Sequence, residues 1–262
     1  MKVSVVIPTY NRSKKLIKTI KSVIENDFPK KEFEIIIIDD NSSDNTSLIV
    51  QSLKEKYKNI RYFKNEKNIG PAASRNKGIK FSKAEYIFFT DDDCIVPKNW
   101  IKTYVDFFEK NKNIYGIGGN LEPIKNNLIA KIEKFKDRIL GINGKKIKIG
   151  KKNIYIGFTN NVAYRSKVFK KIGMFNEKFK APAGEDVELK NRVIKKYDVA
   201  FIPLNVIHNQ DYNLGYLINL IYKQGLEMMP PKKLLKKYLL FIVYFPILVK
   251  NIFKKILVYR KT

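Results

Sequence analysis

Apolar positions along the first 110 residues alternate between two periods. Val3–Ile7 is a β-branched run that reads as a strand. Leu16, Ile17, Ile20, Val23 and Ile24 then recur at helical spacing, with lysines on the opposite face. Glu34–Ile38, Ile60–Phe63 and Tyr86–Thr90 read as three more strands. Between them, Asp44 can cap a helix that presents Ile49, Val50, Leu53 and Tyr57. Gly70-Pro71 opens another helix, running to about Phe81, with proline in the first turn where its missing N–H costs nothing. Pro97 precedes a helix carrying Trp100, Ile101, Tyr104, Val105 and Phe108. Strands and helices that alternate in this way predict an α/β fold: a doubly wound, mostly parallel sheet flanked by helices on both faces.

The second half is less regular. Ile114–Gly118, Phe158–Tyr164 and Val199–Ile202 read as strands, and Ser166–Ile172 and Glu185–Tyr197 as helices. The Lys-rich stretch from about Asn120 to Asn153 reads as a mobile connection, with one short helix near Ile129–Leu140. No internal repeat is present. After Glu227 there is no acidic residue; lysines flank the apolar run Tyr238–Val249, which contains Pro246 and is too short to span a bilayer. The expected organisation is an α/β domain over residues 1–227 and a basic amphipathic helical tail over 228–262. A basic flank beside an aliphatic and aromatic stripe suits an anionic membrane surface.

Composition narrows the chemistry. With one cysteine, Cys94, and one histidine, His208, the 262 residues hold no disulfide framework and no Cys- or His-rich metal cage. A carboxylate-rich metal site stays open. The formal net charge is +27, yet 45 of the 52 basic residues are lysine and only 7 are arginine. Arginine is favoured for bidentate phosphate recognition, so the charge argues for anionic small molecules or lipid rather than nucleic acid. Val3–Ile7 ends at Pro8 without a cleavage site, so no secretory leader is expected. No continuous apolar stretch of transmembrane length is present either. The expected location is cytoplasmic, peripheral on the inner face of the cell membrane.

Ligands of open α/β sheets bind beyond the carboxyl ends of the strands. Pro8-Thr9-Tyr10-Asn11-Arg12 follows the first strand, Asp39-Asp40-Asn41-Ser42-Ser43-Asp44 the second, and Asp91-Asp92-Asp93 the fourth. Three adjacent carboxylates repel one another, and a divalent cation removes that penalty. Oxygen ligands suit Mg²⁺ or Mn²⁺. Neither a G-x-G-x-x-G fingerprint nor a P-loop is present, so the common dinucleotide and NTPase sites are excluded.

These segments, with Asn68-Ile69-Gly70-Pro71-Ala72-Ala73-Ser74-Arg75-Asn76 and Gly184-Glu185-Asp186-Val187-Glu188-Leu189, resemble the family 2 glycosyltransferases in the same order over residues 1 to about 210. The resemblance implies a GT-A fold and an inverting, metal-dependent transfer from a nucleotide-diphosphate sugar (UDP, GDP or dTDP) to a hydroxyl acceptor such as a lipid-linked or membrane-proximal glycan. It implies donor-nucleotide contacts from Pro8, Thr9, Tyr10, Arg12, Asp39, Asp40, Arg75, Asp91 and Asp92. Asp40, with Asp39 beside it, matches the base-reading pair. Asp91, Asp93 and His208 match the metal ligands, and Asp186 matches the catalytic base. No Q-x-x-R-W motif follows, which argues for single-sugar transfer over polymer extrusion. Two alternatives stand beside this reading. One is a sugar-nucleotide nucleotidyltransferase, although Pro8–Arg12 lacks the glycine-rich loop of that class. The other is a non-catalytic basic module that binds membrane or nucleic acid.

Overall fold

In a computed structural model, the structure describes residues 1–131, 134, 144–151, 154, 156–179, 184–211, 213 and 215. The expected basic tail, 228–262, lies outside the described residues. So does the boundary between the two expected segments. Most of the expected helix near Ile129–Leu140 is also outside; its described part starts at Leu128, one residue after Asn127, whose side chain caps the Ala130 amide.

The strands are β1 (Val3–Thr9), β2 (Phe33–Asp39), β3 (Ile60–Lys64), β4 (Tyr86–Phe89), β5 (Cys94–Ile95), β6 (Ile114–Pro123), β7 (Lys148–Gly150), β8 (Val162–Arg165) and β9 (Asp198–His208). The helices are α1 (Ser13–Ile24), α2 (Thr46–Lys56), α3 (Pro71–Phe81), α4 (Trp100–Lys110), α5 (Lys167–Ile172) and α6 (Glu185–Lys196). The sheet order is β3-β2-β1-β4-β8-β6-β9-β5, with β7 on β9. Strands β1 to β4 are mutually parallel. β8 is antiparallel to both β4 and β6, so β6 and its parallel neighbour β9 return to the direction of β1. The sheet is therefore mostly parallel, as the alternating pattern predicts.

Period-two alternation along the buried strands feeds two cores. Val3, Val5, Ile7, Ile35, Ile37 and Phe88 face α1, α2 and α4, meeting Leu16, Ile20, Val50, Trp100 and Tyr104. Val6, Ile36, Ile38, Ile87 and Phe89 face α3, α5 and α6, meeting Ala72, Ile79, Val168, Leu189 and Val193. Strands buried on both faces are continuous apolar runs for that reason. Chain direction reverses between β1, which leads to β2 and β3 on one side, and β4 on the other. That switch point opens a crevice at the carboxyl ends of β1 and β4.

Four expectations need correction. The stretch 120–153 is not all loop: β6 runs on to Pro123, and Lys148–Gly150 adds a short, mostly exposed edge strand. The strand expected over Phe158–Tyr164 starts at Val162, because Phe158–Asn161 forms a turn closed by the Asn161 amide on the Phe158 carbonyl at 3.0 Å. The fourth strand ends at Phe89, and the Thr90 hydroxyl donates instead to the Asn160 carbonyl at 3.0 Å. β9 does not stop before Pro203. The β6–β9 register shifts between Gly118 and Asn120, which face Phe201 and Asn205, and Pro203 falls in that irregularity. A residue without an N–H is tolerated where the ladder is interrupted. The Asn161 side chain ties the same region together, accepting from Trp100 and Tyr104 and donating to the carbonyls of Asn120 and Leu204.

Asp44 caps two helices at once. Its carboxylate accepts the Ser13 amide at 3.0 Å, at the start of α1, and the Thr46 amide at 3.0 Å and hydroxyl at 2.5 Å, at the start of α2. Partial burial pushes its pKa up, but these hydrogen bonds more than reverse that and bring it to about 2. Ionised Asp44 therefore adds stability at pH above its ordinary value of 3.8, and this is lost as pH falls through about 2. Asp44→Ala is expected to cost about 1 kcal/mol, the scale of a lost cap at an exposed site. Denaturant titrations of both proteins should show the difference at pH 7 and show it fading between pH 4 and pH 2.

Candidate active site

The crevice collects the loops that follow β1, β2 and β4, and the C-terminus of β9. Pro8 is buried within β1, opposite Ile38. Thr9 ends β1, and its hydroxyl donates to Asp92 at 2.8 Å. Tyr10 is exposed at the rim. Arg12 places Nη1 between two carboxylates, 3.1 Å from Asp92 and 2.9 Å from Asp93. Burial opposes its charge, but Asp92 and Asp93 raise its pKa overall. Asn11 sits at φ 52° and stitches this loop to the next: its Oδ1 accepts the Ser43 amide at 2.8 Å, and its own amide donates to the Ser42 hydroxyl at 2.9 Å.

Asp39 and Asp40 are both buried. Asp39 accepts the Ser42 amide at 2.7 Å and the Tyr62 hydroxyl at 2.5 Å. Asp40 accepts Asn65 Nδ2 at 2.8 Å, the Ile69 amide at 2.9 Å and the Gly70 amide at 2.8 Å. Asp40 thus anchors the entry to α3. Tyr62 and Asn65 escape a sequence reading because nothing in β3 marks them apart from ordinary strand and turn residues.

The aspartate run divides into three environments. Burial, with the charges of Asp93 and Asp91, pushes Asp92 up to about 6 against the pull of Arg12 and Thr9. Burial would also raise Asp93, but His208, Arg12 and Lys15 bring it down to about 2. His208 ends β9, where it pairs with Cys94 of β5, and its Nε2 lies 3.3 Å from Asp93 Oδ1. Asp91 turns elsewhere: it accepts Arg75 Nη2 at 2.8 Å. Of the three expected metal ligands, Asp93 and His208 come together, and Asp91 is engaged by Arg75.

Among the described residues, Asp93, Cys94 and His208 offer ligand atoms within 4.8 Å of one another. Burial pushes the Cys94 thiol far up, so it stays protonated and is a poor ligand. The Asp93 carboxylate oxygen suits Mg²⁺ or Mn²⁺, and the imidazole nitrogen beside it suits Mn²⁺ better than Mg²⁺.

Arg75 is buried on α3 and reaches in two directions, to Asp91 and to Glu185 Oε1 at 2.7 Å. It is neither an exposed helical arginine nor a free phosphate hook. Glu185 opens α6, and Asp186 follows it. Gly184 precedes them at φ 88°, a left-handed conformation that a side chain resists, and a Cβ there would sit 3.0 Å from Phe179. Asp186 is half-buried. Burial and then the neighbouring Glu185 charge raise its pKa, against Arg75 and the Val187 amide. The helix N-terminus favours ionised Asp186, yet burial outweighs the neighbours that favour charge. Sequence reading does not single out Glu185, since its burial and its partner 110 residues away are tertiary facts.

The chain matches the profile of Glycosyl transferase family 2 over residues 4–173. It belongs to that family. The family 2 match takes in every loop from β1 to β8 and stops before Asp186 and His208. The chain is 40% identical over 119 residues to the poly(ribitol-phosphate) beta-N-acetylglucosaminyltransferase TarP of Staphylococcus aureus, covering 45% of this chain and 36% of that protein. It is 44% identical over 93 residues to the GalNAc(5)-diNAcBac-PP-undecaprenol beta-1,3-glucosyltransferase of Campylobacter jejuni, covering 35% and 29%. An uncharacterized glycosyltransferase of Rickettsia felis is 46% identical over 114 residues, covering 44% and 18%. The matched stretches thus span well under half the length of these relatives.

Among solved structures, S. aureus TarS 1–349 in complex with UDP-GlcNAc superposes with a TM-score of 0.66 at 21% identity, covering 89% of this chain and 69% of that one. The mannosyltransferase PcManGT from Pyrobaculum calidifontis, in complex with GDP-Man and Mn²⁺, gives a TM-score of 0.68 at 16% identity, covering 86% and 61%. These likenesses establish the GT-A fold.

Proposed function

We propose that the protein is an inverting, metal-dependent glycosyltransferase that moves one sugar from a nucleotide-diphosphate sugar to a hydroxyl acceptor. The observation that carries this reading is the meeting, in one crevice of a family 2 chain, of the aspartate run, His208 and Asp186. The nucleotide lies over the β1 and β2 loops, with Thr9, Tyr10 and Arg12 around it; Asp39 and Asp40, buried with their oxygens engaged, shape the floor beneath its base. Asp93 and His208 would hold Mg²⁺ or Mn²⁺, and Asp91 would join them only on leaving Arg75. When bound, the cation supplies positive charge to the diphosphate as it leaves.

Asp186 takes the proton of the acceptor hydroxyl as that oxygen attacks the anomeric carbon from the face opposite the diphosphate. A raised pKa makes it a stronger proton acceptor once ionised. Arg75, which lowers that pKa, keeps the ionised form accessible. Arg12 holds Asp92 and Asp93 in place and spreads positive charge toward the donor.

The acceptor is a phosphate-bearing glycan at a membrane surface. The net charge of +27 supports this, as do two relatives named for poly(ribitol-phosphate) and for a PP-undecaprenol glycan. Among the described residues no helix is long and apolar enough to cross a membrane. The tail 228–262, rich in lysine and free of acidic residues, is the proposed contact with an anionic surface. The protein should sediment with anionic liposomes at low salt, less at high salt and less with neutral lipid. Deleting 228–262 should remove this binding; equal binding by the truncated protein would contradict it.

Calorimetric titration with UDP-, GDP- and dTDP-sugars in Mn²⁺ tests the donor assignment. One base should bind with micromolar to sub-millimolar affinity and none in chelator. Metal-independent binding of all three, or of none, would contradict the reading.

A further inference from the structure

Arg12 meets both of its carboxylates through one nitrogen. Nη1 lies 3.1 Å from Asp92 Oδ1 and 2.9 Å from Asp93 Oδ2. Among the described residues its Nε and Nη2 donate to nothing. Those two groups share one edge of the guanidinium, the edge that pairs side-on with two oxygens of a carboxylate or phosphate. The anchors are dry, with the Asp92 and Asp93 side chains 6% and 2% exposed, while the Arg12 side chain is 46% exposed. One corner of the guanidinium is thus tied to the aspartate run, and its phosphate-binding edge is left open.

Asp93 divides its oxygens in the same way. Oδ2 takes Arg12, and Oδ1 lies 3.3 Å from His208 Nε2, where the candidate metal donors gather. A cation held by Asp93 and His208 therefore shares one carboxylate with a guanidinium. Like charges that close repel, and a site this far from solvent screens them poorly. Lys15 also lends charge to Asp93, but its own partner is Asp211 at 3.4 Å. Arg12 is the charge in contact.

We propose that Arg12 couples cation and donor binding: in the empty crevice its charge weakens the Asp93–His208 seat for Mg²⁺ or Mn²⁺, and the donor diphosphate, taken on the open Nε–Nη2 edge, removes that penalty. This rests on the reading of the crevice as a nucleotide-sugar site. Phosphate charge beside Arg12 offsets the guanidinium, adding to the direct attraction between cation and diphosphate. Each ligand then binds better in the presence of the other, and by the same factor. Arg12 need not leave the aspartates for this to happen. A role limited to holding the aspartates in place gives the opposite sign, because carboxylates released from their anchor would hold a cation less well.

Calorimetric titration of the full chain with Mn²⁺ alone, at low salt and pH 8, separates the two. Arg12→Gln should bind Mn²⁺ alone roughly tenfold more tightly than wild type, inside the ~5–150-fold span usual for coupling between sites. The gain should vanish when Asp93→Ala is added, which places it at this seat. In saturating Mn²⁺, Arg12→Gln should bind the nucleoside diphosphate that wild type takes, among UDP, GDP and dTDP, roughly tenfold more weakly. Arg12→Lys keeps the charge and loses the fork. It should bind Mn²⁺ alone within about threefold of wild type and the nucleoside diphosphate several-fold more weakly.

Mn²⁺ affinity in Arg12→Gln equal to or below that of wild type would overturn the proposal, as would a gain that survives the loss of Asp93. A thermal melt of each variant shows that it is folded at the assay temperature. Should Arg12→Gln not fold, Arg12→Lys decides: Mn²⁺ bound alone tenfold more tightly than by wild type would show that the charge is not the cause. Wild type that binds none of the three nucleoside diphosphates overturns the donor reading and this inference with it. Nucleotide binding by wild type in Mn²⁺, with no gain of Mn²⁺ affinity in Arg12→Gln, overturns this inference alone.

Discussion

Asp186→Asn is expected to lower turnover by roughly 10²–10⁴-fold, the usual contribution of a general base, with nucleotide affinity within a few-fold of wild type. Asparagine preserves the size of the side chain and can still accept the Val187 amide, which lies 2.7 Å from the carboxylate. What it lacks is the capacity to hold a proton. The pH profile tests the base independently. Burial and Glu185 raise the Asp186 pKa, and the base works only when ionised. The acid limb of kcat should therefore lie above the ordinary aspartate range, with activity rising as pH rises through it. That limb should be missing from the residual activity of the Asn variant. Wild-type turnover in Asp186→Asn would remove the base from this residue.

The second large effect belongs to Asp93. It is buried and lies between Arg12 and His208, and its pKa of about 2 keeps it ionised across the physiological range. Asp93→Ala should weaken metal-dependent nucleotide binding on the order of 100-fold or more, since even groups that only orient a ligand are worth 10–100-fold. EDTA should abolish transfer by wild type, and added Mn²⁺ or Mg²⁺ should restore it. Arg12 is half in solvent, so losing one of its two carboxylates should cost little stability. A folded variant with full activity in chelator would sink the metal assignment.

Much of this architecture is legible in the chain. Fully buried parallel strands such as Val3–Thr9 and Phe33–Asp39 are mostly apolar runs, broken only by the paired Ser4 and Glu34 before their polar ends, and the polar clusters at those ends mark the crevice. Strands that depend on their neighbours are not legible. Cys94–Ile95 is two residues long and exists because β9 pairs with it. Lys148–Gly150 has the composition of a loop and is a strand only through β9. Pro203 reads as a terminator, but the shifted β6–β9 register absorbs it. In the site, residue types pointed to the carboxylates, and the pairing among them needed coordinates. Nothing in the sequence says that Arg75 joins Asp91 to Glu185, or that Asp93 rather than Asp91 faces His208.

The most direct test of the central claim is to incubate the protein with its donor sugar nucleotide, Mn²⁺ and a phosphate-bearing hydroxyl acceptor, and to identify both products. The account predicts release of the nucleoside diphosphate, dependent on metal and on Asp186, and a glycoside whose anomeric configuration by NMR is opposite to that of the donor. Pyrophosphate release, or a product that retains the donor's configuration, would contradict it.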